Sequence, residues 1–380
     1  MRYFLAGGAV RDILLGRIPT DFDIVFEGTP RDLTRLHGNV HKVGSTVATY
    51  IINGYDYTPL TTSIPENLLA RDCTINALLI GENGIIHALP QTFADLRDGI
   101  LRHVSAHSFL DDPVRIFRVA RFMATLPCFS IAAETTHLMI EATAQEKLQT
   151  IAAERISKEC MKAMAGYKPG NFLLTLSQTN ALHPWFSPWE KGIDPPTEQD
   201  QHHGNNNVLD HTLDVMNNIA AMPLPDTERT LAVWMGLCHD LGKLTTLPEL
   251  LPRHIEHTLR GEYLARELAL RLRLPRRWQK AGCLAALLHM KAARYTTLCT
   301  GAKVMLLQTL AANQLAVPFI AMIVASTSNT TLHAIMMHDL QTILAVSLPE
   351  KWRNKGVKSA SKLYQLRIAA LNNIVPPVAR

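Results

Sequence analysis

The sequence lacks several features that would assign it to an extracellular or membrane class. Its six cysteines are scattered, and none forms a Cys-x-x-Cys pair, so neither a zinc ribbon nor a disulfide framework is predicted. No apolar run reaches the roughly 18 residues that a membrane-spanning helix needs. The N-terminal residues do not have the pattern of a signal peptide. These absences favour a reducing cytoplasm as the location and exclude a membrane partner.

What is present is an ordinary globular composition with a small excess of positive charge. The 380 residues are 47% hydrophobic and 19% charged, which suffices for two or three domains with hydrophobic cores. The net charge of +5 suits a polyanionic partner, although charge of this size is a weak indicator of nucleic-acid binding. Several of the 16 histidines cluster between residues 202 and 289.

The pattern along the chain predicts a β-rich part followed by two helical parts. Short β-rich runs dominate the beginning, and Asn53-Gly54 between two of them predicts a hairpin. Residues 184–204 hold four prolines and two glycines, which indicates a linker. We therefore predict a catalytic head at 1–103, a helical neck and body at 104–184, a linker at 185–207, a helical domain at 208–348 and a basic C-terminal tail at 349–380.

The residues most typical of a catalytic site are clustered near the N-terminus. Gly7-Gly8 leads into a short helix whose first N–H groups suit a phosphate, and Arg11 adds a charged fork nearby. Asp21 and Asp23 lie two positions apart on a predicted strand, so their carboxylates share a face. Paired carboxylates favour a divalent cation, and oxygen ligands favour Mg²⁺. Together these parts indicate a nucleoside triphosphate site, where a 3′-hydroxyl attacks the α-phosphate.

Four motifs occur in order within the first 165 residues. They are LAGGAVRDILLGR at 5–17 with DFD at 21–23, RDCTINA at 71–77, DDPVRIFRVARF at 111–122 and ERISKE at 154–159. This series resembles the bacterial tRNA nucleotidyltransferases (class II CCA-adding enzymes) and the related poly(A) polymerases. The resemblance implies an α+β fold, with a polymerase-β-like mixed-sheet head followed by an all-α neck and body. It also implies tRNA, CTP and ATP as partners, and Mg²⁺ held by the catalytic residues Asp21 and Asp23.

The resemblance further implies roles for nucleotide-binding residues. Arg71, Asp72 and Asn76 lie in the motif that resembles the ribose-reading motif of the family. Asp112 and Arg115 resemble the pair that selects the base. Cytosine and adenine both offer an amino donor beside a ring-nitrogen acceptor, which matches a carboxylate beside a guanidinium.

Three arginines of the third motif recur at every third position, namely Arg115, Arg118 and Arg121. On a helix this spacing produces a stripe that turns slowly around the surface. Such a stripe could follow a triphosphate, whereas a solvated basic helix face is the alternative.

Two departures from the family pattern concern specificity. Ala70 stands where a second arginine usually precedes Arg71. Only residues 61–70 fill a gap where the family carries a longer flexible segment, and Pro65 stiffens them further. Loss of that segment resembles relatives that add only two cytidines, so we expect weak or absent addition of the final adenosine. Asp56, on a hairpin strand, is a further candidate carboxylate, with an ordinary surface position as the alternative.

A second cluster follows the predicted linker. Histidine and carboxylate ligands from several helices can hold one or two divalent metals in a helical bundle. The pattern resembles the HD phosphohydrolase superfamily, and residues 252–257 resemble the HD domain of some bacterial CCA-adding enzymes. The resemblance implies a Mg, Mn, Ni or Co site with phosphatase or 2′,3′-cyclic phosphodiesterase activity. A degenerate site is the alternative, and Asp339 is a candidate closing carboxylate. The candidate ligands are His211, His239, Asp240, His257 and His289.

The leading interpretation is Mg-dependent, template-independent nucleotidyl transfer to the 3′ end of tRNA. Three alternatives stay open at this point: a poly(A) polymerase-like enzyme, an HD phosphohydrolase with a non-catalytic RNA-binding head, and a catalytically inactive RNA-binding protein. The sequence also leaves a monomer and a homodimer equally open.

Overall fold

The structure is a computed structural model that describes residues 1–38, 40–43, 48–190 and 207–373. These residues form two compact units. The first comprises Met1–Ile151 with Gln178–Ala181, and the second comprises Ala152–Ser177 with the described residues from Leu182 onward. None of the helices in the described ranges is long and apolar enough to cross a membrane. The division after residue 151 differs from the boundaries at 103 and 184 that the sequence pattern predicted.

A mixed seven-stranded sheet forms the centre of the first unit. Its strands are β1 (Arg2–Ala6), β2 (Asp23–Glu27), β3 (His41–Val43), β4 (Thr49–Ile52), β5 (Tyr55–Pro59), β6 (Leu78–Gly81) and β7 (Ile86–Ala88). Their order is β3-β4-β5-β2-β1-β6-β7. β2 and β5 are parallel, whereas the other neighbours are antiparallel. The predicted hairpin is confirmed, because Asn53 and Gly54 join β4 to β5 with φ values of 51° and 85°.

Short helices accompany this sheet. They are α1 (Gly8–Leu14), α2 (Pro30–His37), α3 (Ile64–Leu69), α4 (Thr92–Asp98), α5 (Ser108–Asp111), α6 (Val114–Thr125) and α7 (Ala133–Thr143). A two-stranded pair, β8 (Ile100–Leu101) with β9 (Ser130–Ile131), and a 3₁₀ turn at Thr74–Asn76 complete the unit. Capping boxes start α2 and α3, which fixes where both helices begin.

The central sheet has a core on each face. Neighbouring residues of a strand point to opposite faces, so Val25 and Phe26 of β2 enter different cores. The first core is built from Phe4, Ala6, Val25, Leu68, Ala77 and Leu79. The second is built from Phe26, Leu33, Tyr50 and Ile52. Packing on both faces fixes the register of β2, and with it the position of the residues at its N-terminal end.

The second unit is helical. Its helices are α8 (Ala153–Met164), α9 (Gly170–Gln178), α10 (Val208–Ala220), α11 (Asp226–Cys238), α12 (His257–Arg271), α13 (Arg276–Ala293), α14 (Thr300–Ala312), α15 (Ala316–Thr327), α16 (Thr331–Ala345) and α17 (Val357–Asn372). α15 is buried along most of its length, and α10, α11 and α13 pack against it. A mixed-sheet head with helical parts confirms the predicted α+β class.

The predicted linker starts too early. Trp185, Phe186 and Trp189 are buried, and the Arg271 side chain donates to the Pro184 carbonyl at 2.7 Å. Residues 185–190 therefore belong to the second unit, because their aromatic side chains are buried in it despite the flanking prolines. The remainder of the predicted linker, residues 191–206, lies outside the described residues.

Candidate active site and candidate metal centre

Three carboxylates lie together at one edge of the central sheet. Asp23 is the first residue of β2, and Asp21 precedes it by two positions. Asp56 on β5 is the register partner of Asp23, which places their Cα atoms about 4.8 Å apart with both side chains on one face. Phe22 is only partly buried and packs edge-on against Tyr55. The sheet thus adds a third acidic residue to the pair predicted from the sequence.

Like charges at this spacing repel one another. Burial raises the pKa of Asp23, and the nearby carboxylates of Asp56 and Asp21 raise it further. The positive charges of Arg71 and Arg118 offset part of this rise. A cluster of carboxylate oxygens is the donor set that Mg²⁺ prefers. The residues present therefore fit a magnesium ion, and the three carboxylates are the side chains that would hold it.

The Gly7-Gly8 turn connects β1 to α1 beside a partly buried arginine. Gly7 has a φ of +60°, and a Cβ at this position would lie 2.7 Å from Nη1 of Arg71, so only glycine fits. Arg71 donates through Nη2 to Asn67 Oδ1 at 3.2 Å. Its buried Nε has no partner among the described residues. A buried donor without a partner suits a polar ligand, such as a phosphate or ribose oxygen.

A buried chain of hydrogen bonds connects α1 to α6. Arg11 donates to the Asp12 carboxylate and, at 2.8 Å, to Asn76 Oδ1. Asn76 in turn donates to Asp72 at 2.9 Å, and Arg118 donates to the same carboxylate at 3.4 Å. Burial opposes ionisation of Asp72, yet Arg118 and these hydrogen bonds lower its pKa overall. Arg11 and Asn76, both predicted to contact nucleotide, therefore hold the ionised Asp72 in position.

The residues expected to select the base lie where α5 ends and α6 begins. Asp112 directly follows the last residue of α5, and Arg115 lies in the first turn of α6. Arg115 donates to the carbonyl and hydroxyl of Ser108 at 3.2 and 3.0 Å, and to the Ala70 carbonyl at 2.5 Å. Three acceptors thus fix the orientation of this guanidinium.

The other arginines of α6 have different partners. Arg118 contacts Asp72, as described, whereas Arg121 stacks on the Phe122 ring with 4.1 Å between the guanidinium carbon and the ring centroid. Arg11 lies 5.4 Å from the same centroid. The predicted stripe is therefore correct as a helical spacing, but its members are already engaged with protein groups.

The short segment before Arg71 is a capped helix. Ser63 Oγ accepts a hydrogen bond from the Glu66 backbone N–H, and the Glu66 carboxylate accepts from Ser63 in return. Pro65 lies in the first turn of α3. The segment ends at Ala70, whose carbonyl contacts Arg115. It is therefore held at both ends and touches a residue expected to read the base.

Four histidines and one aspartate converge in the second unit. His211 lies on α10, His239 and Asp240 follow the last turn of α11, His257 begins α12 and His289 lies near the end of α13. They form two sets that share Asp240, one with His211 and His239 and one with His257 and His289. Within each set, one ligand atom from each residue lies within 4.8 Å of those from the other two.

Three of these imidazoles are oriented by their own backbone. Nδ1 of His239, His257 and His289 lies 2.7, 2.7 and 2.9 Å from a carbonyl oxygen three residues earlier. Each Nδ1 therefore carries the proton and each Nε2 presents a lone pair. Burial lowers the pKa of His257 to about 4, which keeps this ring neutral.

The lone pairs of these rings face one another. The Nε2 atoms of His257 and His289 are 3.3 Å apart, an arrangement of acceptor against acceptor. The Asp240 carboxylate approaches Nε2 of His239 and His289 at 3.3 and 3.2 Å. Converging imidazole nitrogens with a shared carboxylate, each ring oriented by a backbone carbonyl, are typical of divalent metal sites. The residues present fit such a metal.

Asp240 also carries a lysine partner that the sequence analysis missed. Lys243 Nζ lies 3.0 Å from Asp240 Oδ2. Burial opposes ionisation, but Lys243 and His239 hold the pKa of Asp240 well below its usual range. Asp339 belongs to neither set of ligands among the described residues, because its carboxylate accepts from the Tyr295 hydroxyl at 2.8 Å. The idea that Asp339 closes the site is therefore wrong.

Comparison with known proteins identifies two segments of the chain. Residues 3–53 match the poly A polymerase head domain, and residues 208–317 match the HD domain. The multifunctional CCA protein of Alcanivorax borkumensis is 33% identical over an alignment of 316 residues, and the match covers 77% of this chain and 76% of that protein. The chain belongs to the family of the multifunctional CCA proteins.

Solved structures of CCA-adding enzymes share this fold. A CCA-adding enzyme with ATP superimposes with a TM-score of 0.67 and 20% identity, covering 98% of this chain and 86% of the other. The Thermotoga maritima CCA-adding enzyme complexed with tRNA gives a TM-score of 0.62 and 19% identity, covering 98% and 88%. At such identities the likeness concerns the fold.

The structure adds two residues to the candidate sites of this CCA-family protein. The sequence pattern does not distinguish Asp56 from an ordinary surface carboxylate, but the parallel pairing of β2 with β5 places it beside Asp23. Lys243 lies three positions after Asp240, and that helical spacing was the signal that could have identified it.

Proposed function

We propose that this CCA-family protein transfers nucleotides from CTP, and far less readily from ATP, to the 3′ end of tRNA. The observation that carries the proposal is the group of Asp21, Asp23 and Asp56 beside the Gly7-Gly8 turn. Magnesium held by these carboxylates would supply charge stabilisation to the reacting phosphate. The related structures with ATP and with tRNA support a nucleoside triphosphate and tRNA as the two classes of substrate.

In the proposed step, the 3′-hydroxyl oxygen of the RNA forms a bond to the α-phosphorus of the nucleotide. The bond from that phosphorus to the pyrophosphate oxygen breaks, and pyrophosphate leaves. A carboxylate of the cluster accepts the hydroxyl proton. Arg71 offers its unpaired N–H to the bound nucleotide, while Asp72, held by Arg118 and Asn76, accepts from a ribose hydroxyl.

Asp112 and Arg115 are proposed to choose the base. The amino group of cytosine or adenine donates to the carboxylate, and the ring nitrogen accepts from the guanidinium. Uracil and guanine present a carbonyl instead, which would face the carboxylate as acceptor against acceptor. Because Ala70 and Ser108 fix Arg115, the pocket adjusts poorly between bases of different size. We therefore propose addition of two cytidines with weak or absent addition of the final adenosine.

The nucleotidyl transfer is tested with full-length protein and tRNA that lacks its 3′ CCA end. Products are sequenced after reaction with CTP, with ATP and with both. Asp23→Ala should reduce incorporation by roughly a thousandfold, since it removes several kcal/mol of charge stabilisation. Near wild-type incorporation by this variant would refute the site. Rapid, stoichiometric CCA ends at physiological ATP would refute only the restriction to cytidine.

The histidine centre supports a second activity, hydrolysis of phosphate esters. Its imidazoles and Asp240 would hold one or two divalent ions, which supply a water of lowered pKa. Phosphatase and 2′,3′-cyclic phosphodiesterase assays with Mg²⁺, Mn²⁺, Ni²⁺ and Co²⁺ test this proposal. His239→Ala should abolish the hydrolysis. If the wild-type protein hydrolyses neither substrate with any of these metals, the centre is structural.

A further inference from the structure

A cavity of about 380 Å³ lies between α12 and α13, and neither proposed activity uses it. Sites for small molecules usually measure about 300 to 1,000 Å³, so this volume suits a compact organic ligand. We call it the α12–α13 cavity, since side chains of both helices line it. Its charged and hydrogen-bonding side chains are Glu262 and Arg266 of α12 with Arg276, Gln279, Lys280 and Cys283 of α13.

The cavity is separate from the histidine centre, although the same two helices contribute to both. His257 and Arg266 are nine positions apart on α12, and Lys280 and His289 are nine positions apart on α13. Nine residues make about two and a half helical turns. The cavity side chains and the candidate metal ligands therefore lie on opposite sides of their helices.

The charges around the cavity do not balance. Arg266 donates to the Glu262 carboxylate at 2.7 Å, so the charges of these two residues offset each other. Arg276 and Lys280 make no ion pair within the described ranges. They lie four positions apart on α13, a spacing at which like charges on a helix repel one another. An anion bound in the cavity would relieve this repulsion.

The inner wall of the cavity is less polar. Cys283 and Leu284 are buried, and the Cys283 thiol donates to the Glu262 carbonyl at 3.6 Å, which links α13 to α12. Burial raises the pKa of Cys283, while the positive charges of Arg266 and Lys280 oppose this rise, so both cations act close to the thiol. A ligand with an anionic group and an apolar or aromatic body would match the two parts of this lining.

We propose that the α12–α13 cavity binds a small phosphomonoester of about mononucleotide size. The phosphate accepts charge-assisted hydrogen bonds from Arg276 and Lys280, and the body of the ligand lies against Leu284 and Cys283. A phosphomonoester carries a charge of about −1.5 to −2 at pH 7, which matches the two unpaired cations better than a single carboxylate would. This site goes beyond both activities proposed above.

The test is equilibrium dialysis of radiolabelled AMP against the full-length protein in EDTA, which withholds divalent metals from both proposed active sites. Arg276→Gln/Lys280→Gln removes the two unpaired cations. The matched control is Lys355→Gln/Lys358→Gln, which removes two exposed charges elsewhere in the second unit. We expect the first variant to bind AMP roughly tenfold more weakly or worse, because charge-assisted hydrogen bonds to the phosphate are lost. The control should bind like wild type, and all three proteins should have equal thermal midpoints.

Two further measurements locate the bound AMP. AMP should slow the alkylation of Cys283 by iodoacetamide, about fivefold at about four times its dissociation constant. Peptide mapping should show unchanged alkylation of the exposed Cys128 and Cys299. Glu262→Gln should tighten AMP binding severalfold, because it removes the carboxylate that offsets the charge of Arg266.

Three results would overturn the proposal. One is AMP binding that is absent in the wild-type protein or unchanged in Arg276→Gln/Lys280→Gln. Another is equally strong competition by adenosine, which would show that the phosphate is not recognised. The last is protection of Cys283 by tRNA but not by AMP, which would assign the cavity to RNA. Because the dialysis uses neither RNA nor divalent metal, failure of nucleotidyl transfer or of phosphate-ester hydrolysis leaves it unaffected.

Discussion

At the scale of single residues, the head combines charges that repel with groups that hold them in place. Asp21, Asp23 and Asp56 converge at one sheet edge, where the pKa of Asp23 is raised by its surroundings and by the other two carboxylates. Asp72 is kept ionised by Arg118 and by hydrogen bonds from its neighbours. Several family motif residues therefore act by positioning others.

Asp56 provides a test of the three-carboxylate arrangement. Asp56→Asn should lower single-turnover incorporation of CMP by about a hundredfold, since a ligand and proton acceptor beside Asp23 is neutralised. The thermal midpoint should change little. Asp98→Asn is the control, because it neutralises an exposed carboxylate paired with Arg97. Equal rates in the two variants would remove Asp56 from the site.

Gly7 provides a test of the turn. Gly7→Ala introduces a Cβ at positive φ and 2.7 Å from Arg71 Nη1, whereas Gly16→Ala meets only the positive φ, with no atom within 4 Å. Both variants should lose about 1 to 2 kcal/mol of unfolding free energy from backbone strain. Only Gly7→Ala should also raise the KM for CTP, by tenfold or more. Matching KM values would show that Arg71 does not contact the nucleotide.

At the scale of elements, the two sites are built in different ways. The head site uses strand ends and a capped helix, so neighbours in a sheet decide which residues meet. The histidine centre uses residues at or near the termini of α11 and α12 and within α10 and α13. Backbone carbonyls of the same segments set the tautomers, so local helical geometry prepares the ligands before they meet.

The metal fit of the histidine centre can be measured without any activity. Mn²⁺, Co²⁺ or Ni²⁺ at 100 times its dissociation constant should raise the unfolding free energy by about 2.7 kcal/mol. His289→Ala should lose most of this gain, while His338→Ala, an exposed histidine on α16, should keep it. A wild-type midpoint that no divalent metal shifts would count against metal binding.

The effect of the capped helix α3 on nucleotide choice can be tested by analysing the RNA 3′ ends that the enzyme produces. Ser63→Ala removes the cap of α3 and should cost about 1 kcal/mol of local stability. If stiffness of this segment restricts the pocket, the fraction of ends carrying the final adenosine should rise severalfold. Thr29→Ala removes the equivalent cap of α2 and should leave the product unchanged. The products of the two variants are compared by sequencing the 3′ ends of the RNA. Equal products from both variants would contradict the role of α3.

At the scale of the whole molecule, the two candidate sites belong to separate compact units. Asp23 lies in the first unit, whereas His239 and Asp240 lie in the second. The fourth sequence motif, at residues 154–159, lies in the second unit rather than in the head. Each unit has a core of its own, which favours independent chemistry.

This separation predicts reciprocal effects of site variants. Asp23→Ala should abolish nucleotide addition and keep metal-dependent phosphatase activity within twofold of wild type. His239→Ala should do the reverse. Both activities are measured on the same preparations, with circular dichroism as the check on folding. Loss of both activities in either variant, with the fold intact, would show that the sites depend on one another.

The residue chemistry and the order of the parts are encoded in short-range patterns of the sequence. The Gly-Gly turn, Asp21 and Asp23, the Asn53-Gly54 hairpin and the clustered histidines are local patterns, because turn, strand and capping preferences act over a few residues. These features could therefore be predicted, as could the mixed-sheet head and the helical remainder.

The contacts between residues that are distant in the chain follow from the packing of the folded protein. Parallel pairing of β2 with β5 brought Asp56 to Asp23, and no short-range pattern encodes that register. Packing of buried helices excluded Asp339 from the histidine centre and made Asp240 common to both ligand sets. Burial of Trp189 moved the start of the linker, since a proline-rich stretch becomes part of a core when its aromatic side chains find apolar neighbours. Long-range contacts of this kind depend on the packing of the whole unit.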